Sequence, residues 1–190
     1  MTLLLFLNVS FAADKYINCS NTPVRNYHNK AVLLLKNASR LIKVSPYSKS
    51  VRHNLKKYFK LDVLEPNDLR LVNRVFNNVH TVSRDASKSV YKCKPQSNYF
   101  WCMTEPLAIV PPPKTRIYLC PKFFKLSDKK KVGVTIHEMF HMWGGFNINY
   151  LPETYCYDRQ SLSRESLVRQ ADQYMLFVMS LDAKSKLECF

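Results

Sequence analysis

Five consecutive residues, His137-Glu138-Met139-Phe140-His141, set two imidazoles four positions apart with a carboxylate beside the first. On a helix this spacing puts His137 and His141 one turn apart on the same side. Two ring nitrogens can then converge on one metal ion while Glu138 approaches the water bound to it. The ion suited to such a set is Zn2+, which lowers the pKa of its water towards about 7. The carboxylate can take that water's proton as it attacks a carbonyl and later pass it to a leaving amine. One pentapeptide therefore supplies two ligands and a general base.

The flanking residues predict the helix that this geometry requires. Ser127-Asp128 can cap it, and Val132, Ile136, Met139, Phe140 and Trp143 recur at i, i+4, i+7, i+8 and i+11 before Gly144-Gly145 ends the run. Hydrolytic zinc sites normally have three protein ligands and one open position, so a third ligand must come from elsewhere in the chain. Glu153, Asp158 and Asp172 are the nearest downstream carboxylates, with Glu165 in the last predicted helix, whereas His28 and His53 lie far upstream in helical runs and read as surface or cap residues. The stretch from Pro152 to Asp158 is loop-like and aromatic, as the wall of a site should be.

The rest of the chain supplies a scaffold. Helices are predicted over Asn29–Val44, over Ser48–Phe59, and from Glu65-Pro66-Asn67-Asp68 with Asn67 as cap. From Ser89 the period changes: Val90, Tyr99-Phe100-Trp101, Leu107–Val110 and Thr115–Cys120 read as strands, the last two joined across Pro111-Pro112-Pro113. A final helix is predicted from Ser163 to Leu181. The fold class is α+β, with a helical N-terminal half, a small mid-chain sheet, the His137–His141 helix and a C-terminal helix. With 190 residues, 46% of them hydrophobic, the chain can bury one sizeable core, and residues 13–190 are expected to form a single domain.

The apolar run from Leu3 to Ala13 falls short of the roughly 20 residues that cross a bilayer. It reads as the apolar part of a secretory signal over residues 1–12, with Ser10 and Ala12 placed for cleavage, though without the usual basic leader. Cys19, Cys93, Cys102, Cys120, Cys156 and Cys189 are even in number and form no CxxC pair, which favours three disulfides and a secreted or periplasmic protein. Six cysteines allow fifteen pairings, and their spacing chooses none. Lysine and arginine total 29 against 14 acids, a net charge of +15, with cations concentrated between Lys30 and Lys60 and between Lys122 and Lys131. Such a surface favours anionic neighbours, here an anionic cell envelope or acidic proteins. No aromatic residues interleave Lys129-Lys130-Lys131, so no specific nucleic-acid partner and no membrane span are expected, and the chain reads as a monomer.

Several blocks together resemble a known family. Ile117-Tyr118-Leu119-Cys120-Pro121 with Phe123-Phe124, then Ile136-His137-Glu138-Met139-Phe140-His141, then Gln170-Ala171-Asp172-Gln173-Tyr174-Met175-Leu176-Phe177 are similar to the deuterolysin and lysine-specific metalloendopeptidase family, the aspzincins. The likeness extends over nearly the whole chain from Cys19 onward. Its discriminating block is Gln170-Ala171-Asp172-Gln173-Tyr174, which matches an Asn-Ala-Asp-x-Tyr segment of the family. The resemblance implies a zincin-like domain and a secreted zinc endopeptidase acting on protein or peptide substrates. His137 and His141 would be ligands and Glu138 the base.

The same resemblance implies the pairs Cys19–Cys93 and Cys102–Cys120, leaving Cys156 with Cys189. The family's third ligand is an aspartate in a Gly-Thr-x-Asp-x-x-Tyr-Gly motif. Aligning its tyrosine with Tyr157 puts Thr154 at the aspartate's place, and a shift of one residue brings in Glu153, with Asp158 as runner-up. Tyr157 would then support the oxyanion. Asp172 matches one of two acids that receive a substrate lysine in the family, but the second position is Met175, so strict lysine selectivity is not expected. Asp172 also suits a helix-to-loop hydrogen bond that shapes the site. The competing function is a catalytically inactive zincin-like binding protein or toxin acting through its basic surface, and a zinc amidase acting on non-protein substrates is a third.

Overall fold

The computed structural model describes residues 16–19, 23–44, 46–62, 66–84, 91–94, 102–103, 106–145, 148 and 161–182. Its first helix, α1 (Val24–Lys43), starts five residues before the expected Asn29. The apolar stripe continues backwards through Ala31, Tyr27 and Val24, all buried, and the helix closes with Arg40 and Lys43 in its last turn, where cations suit the dipole. Helix α2 (Lys49–Phe59) starts as the sequence predicts: the Ser48 hydroxyl accepts a hydrogen bond from the Val51 amide, and the helix ends on Lys60 in the left-handed conformation. In α3 (Pro66–Ser83) Pro66, not Asn67, opens the helix, because its missing N–H costs nothing in the first turn.

The sheet has four short strands, β1 (Tyr16–Ile17), β2 (Tyr91–Cys93), β3 (Ala108–Ile109) and β4 (Ile117–Leu119), in the order β1-β2-β4-β3. β1, β2 and β4 run parallel, with Tyr16 opposite Tyr91 and Tyr91 opposite Ile117, while β3 returns antiparallel with Ala108 opposite Leu119. The sheet is therefore not confined to mid-chain, since it recruits a strand from near the start. Disulfides Cys19–Cys93 and Cys102–Cys120 pair as the resemblance implies. On a loop-entropy account, closing loops of 74 and 18 residues stabilises the fold by about 4.5 and about 3 kcal/mol. The expected signal over residues 1–12, Val90, Tyr99–Trp101, the expected site wall over residues 152–158, Cys156 and Cys189 lie outside the described residues.

A short α4 (Pro121–Phe124) leads into α5 (Asp128–Trp143), where the Ser127 hydroxyl accepts from the Lys130 amide as expected. Every residue of α5 from Val132 to Met142 is buried. A Cβ at Gly144 would collide with Ile148 and with the Phe140 carbonyl, and Gly145 adopts φ +75°, so both glycines are needed where the helix stops. The single last helix expected from Ser163 to Leu181 is two: α6 (Arg164–Leu167) and α7 (Ala171–Ser180). The Val168 carbonyl accepts from the Tyr174 hydroxyl at 2.9 Å, and Gln170 is extended at φ −98°, ψ 122°. That break turns α7 so that all residues from Ala171 to Met179 are buried, which a straight amphipathic helix could not do.

Helix α5 packs most extensively on α7, then on α1 and α3, while α2 covers α7 from the other side. Phe76 of α3 sits at the junction, its ring 5.5 Å from Phe140, 5.2 Å from Tyr174 and 5.5 Å from Phe177, and Phe59 of α2 closes on Tyr174 at 4.9 Å. The architecture is α+β, a helix-rich body beside a small mixed sheet. Among the described residues no helix is long and apolar enough to cross a membrane.

Candidate metal centre

His137, Glu138 and His141 lie in the middle of α5, where the helix is buried on all sides, and they are 8%, 5% and 3% exposed. Polar groups in such a place must find partners or cost several kcal/mol. The helical period turns the two imidazoles towards one another, with Nε2 of His137 and Nε2 of His141 3.0 Å apart and ring centroids 4.6 Å apart. On its other nitrogen His137 meets Asp172 of α7, Nδ1 to Oδ1 2.8 Å, with Asp172 3% exposed. A carboxylate can only accept, so Nδ1 carries the hydrogen and Nε2 of a neutral His137 keeps its lone pair.

These contacts depend on how the two helices are held together. Phe140, next to His141, packs against Tyr174, two residues beyond Asp172, with ring centroids 4.8 Å apart and the rings tilted. The aromatic contact sets the spacing of α5 and α7 at the level where the imidazole meets the carboxylate. On the sheet side, Tyr91 of β2 is wholly buried and its hydroxyl pairs with Nδ1 of His28 at 2.9 Å. Burial first, then Tyr16 and the Glu138 carboxylate, push the Tyr91 phenol well above its usual range. His28 is thus a buried residue and not the surface or cap residue expected, because α1 runs back far enough to pair it with Tyr91 of β2.

The arrangement suits a dication on two grounds. Tetrahedral zinc with bonds of about 2.0–2.1 Å holds two nitrogens roughly 3.3 Å apart, close to the observed approach of the two Nε2 atoms. Two carboxylates, Glu138 and Asp172, are buried beside the imidazoles, and Oδ2 of Asp172 has no hydrogen-bond partner. A cation at the histidines would balance buried negative charge of that kind. Among the described residues no group of three histidine, cysteine, aspartate or glutamate side chains is assembled as a ligand set. Glu153, Asp158 and Tyr157 lie outside the described residues.

Sequence reasoning placed Asp172 near the site without naming the contact it makes, which joins two helices and not a helix and a loop. The available signal was a lone acid in a mostly apolar helix, since such an acid requires a polar partner from a neighbouring element. The Tyr91–His28 pair left no comparable trace, because its members are 63 residues apart and neither stands out in its own segment.

Residues 46–179, about seven-tenths of the chain, match a protein-family model described as lysine-specific metallo-endopeptidase. The match spans α2, α3, the three later strands, α5 and nearly all of α7. No curated protein matches the chain.

Proposed function

The chain belongs to the aspzincin family of lysine-specific metallo-endopeptidases, and from that premise we propose that it is a secreted, zinc-dependent endopeptidase with a zincin-like domain and Glu138 as its general base. The observation that carries the proposal is the 3.0 Å approach of the His137 and His141 Nε2 atoms, with Glu138 adjoining on the same buried helix. His137, His141 and Glu153 would hold the zinc. When bound, it supplies Lewis acidity to the scissile carbonyl and acidifies a water molecule.

Each of the chain's own residues then has a defined task. His137 presents Nε2 because its Nδ1 hydrogen is given to Asp172. Glu138 accepts the proton of the attacking water at its carboxylate and returns it to the leaving amine nitrogen as the peptide C–N bond breaks. The Tyr157 phenol donates to the oxyanion that forms on the carbonyl oxygen. The low exposure of the α5 face keeps bulk water from competing and strengthens the electrostatic contacts made there. Two disulfides support a route through an oxidising compartment, with residues 1–12 as the signal and Cys156–Cys189 as the third bridge.

Metal content and casein hydrolysis of the oxidised chain test the reading. The wild type is expected to hold one zinc and cleave. Glu138→Gln should retain zinc and fold but lose about 10²–10⁴-fold in rate, the usual worth of a general base. Glu153→Ala should lose zinc and cleavage together, and Asp158→Ala should keep both. A wild type that binds no zinc and cuts nothing would sink the proposal.

A further inference from the structure

We propose that Asp172 is a positioning residue for His137 and takes no part in selecting the substrate's side chain, an inference that rests on the zinc-peptidase reading above. Its Oδ1 lies 2.8 Å from His137 Nδ1, in the most extensively packed helix pair of the molecule. Three consequences follow for the imidazole. The Nδ1–H tautomer is fixed, so Nε2 is the nitrogen that carries the lone pair, 3.0 Å from Nε2 of His141. The ring is restrained in rotation, with Nε2 held towards His141. The carboxylate also raises the ring's basicity as a ligand, as carboxylate–histidine pairs do at zinc sites.

The surroundings of Asp172 favour this role over contact with a substrate. It is the second residue of the ten-residue α7, where the helix dipole stabilises a carboxylate. It is 3% exposed, and its remaining oxygen, Oδ2, is buried. A substrate ammonium would have to reach that atom inside the core and draw the carboxylate's charge away from the histidine. Met175, on the same face one turn on, is fully buried and brings no second acid. Phe140 and Tyr174 hold α5 and α7 together at this level, with ring centroids 4.8 Å apart.

The experiment compares wild type and Asp172→Asn in the full oxidised chain, with Asp172→Ala as a second variant. Asparagine keeps the shape and removes the charge. Three quantities are measured: zinc affinity of the metal-free protein by competition with a chromogenic chelator, the ring-nitrogen NMR signals of His137 without metal, and kcat/KM on peptides differing only in lysine or leucine after the cut. The inference expects zinc affinity about 10–100-fold weaker in both variants. It also expects the Nδ1–H signature of His137 to be lost or shifted, and equal fractional losses of kcat/KM on the two peptides. Unchanged zinc affinity and His137 signals, with loss confined to the lysine peptide, would overturn it. If the wild type binds no zinc while its His137 signals still change on Asp172→Asn, the enzyme reading fails and the pairing survives, so the two failures are distinguishable.

Discussion

Two clefts of this molecule carry pairs of histidines in opposite electrostatic company. Between α5 and α7, His137 and His141 stand with Glu138 and Asp172, buried in an aromatic core. Between α1 and α3, His28 and His80 line a groove together with Asn29, Val32, Leu33, Lys36, Ser83 and Arg84. In the first cleft His137 directs Nδ1 at a carboxylate and turns Nε2 towards His141. In the second, partial burial and the charges of Arg84, Lys43 and Lys36 hold His80 below its usual pKa, and the same charges repel any metal cation. A histidine pair alone does not make a metal centre; the sign of the charge packed behind it decides.

The largest effect expected from breaking this contrast is on metal. His141→Ala should abolish zinc binding and cleavage, a loss beyond the roughly 10–100-fold typical of removing an outer partner. His80→Ala should leave zinc stoichiometry unchanged, as read by metal analysis after gel filtration. Zinc retained in His141→Ala would mean that the charge argument has chosen the wrong cleft.

Packing gives the next effect. Phe140→Ala removes the ring that touches both Phe76 and Tyr174, and a buried phenylalanine truncated to alanine costs about 3–5 kcal/mol. Leu33→Ala in the other cleft deletes a side chain that is 65% exposed and should stay within about 0.5 kcal/mol. Urea unfolding followed by tryptophan emission separates the two. Equal destabilisation would show that the groove is as tightly built as the α5–α7 seam.

The readability of the two clefts differed as well. The α5 site was legible because its chemistry is local: His137, Glu138 and His141 share one helix turn, and the cap at Ser127 and the stop at Gly144-Gly145 lie in the same segment. The α2 boundaries were legible for the same reason, Ser48 being a local cap. What the sequence hid is long-range. β1 reads as nothing until it pairs with β2, and two residues of strand cannot show a period. The break between α6 and α7 depends on the Tyr174 hydroxyl reaching the Val168 carbonyl, which a continuous apolar pattern does not signal. His28 changed from a surface residue to a core one because its partner, Tyr91, arrives from a strand 63 residues away. Asp172 came near to being read, since a single acid in a wholly buried helix poses a question of partnership, but only the packed helices supply His137 as the answer.

A smaller effect is expected at the link between the two clefts. Tyr91→Phe removes the hydroxyl that meets His28 Nδ1 and leaves a buried polar nitrogen short of that partner, a loss of about 1–3 kcal/mol. Because His28 lines the α1–α3 groove and Tyr91 lies within reach of the Glu138 charge, this variant also reports whether the two regions are coupled. Zinc affinity that stays the same while stability falls would mark the pair as scaffold. A parallel fall in both would show that the floor of the metal centre extends to α1.

The smallest effect concerns pH. His80 has a depressed folded-state pKa, caused first by burial and then by Arg84, Lys43 and Lys36, so the unfolded chain takes up a proton at this position before the folded one does. Its contribution to stability is therefore fully present above the unfolded value near 6.5 and is lost as pH falls through the folded value. The ring is only half-buried, so the slope is shallow. His80→Gln should flatten the fall in thermal midpoint below about pH 6.5 and leave neutral-pH stability within about 0.5 kcal/mol of wild type. Melting curves from pH 8 to pH 5 in one buffer series, with ionic strength fixed, provide the check. A steeper acid loss in His80→Gln would mean that His80 gains a proton on folding, and the cationic character assigned to the α1–α3 groove would be wrong.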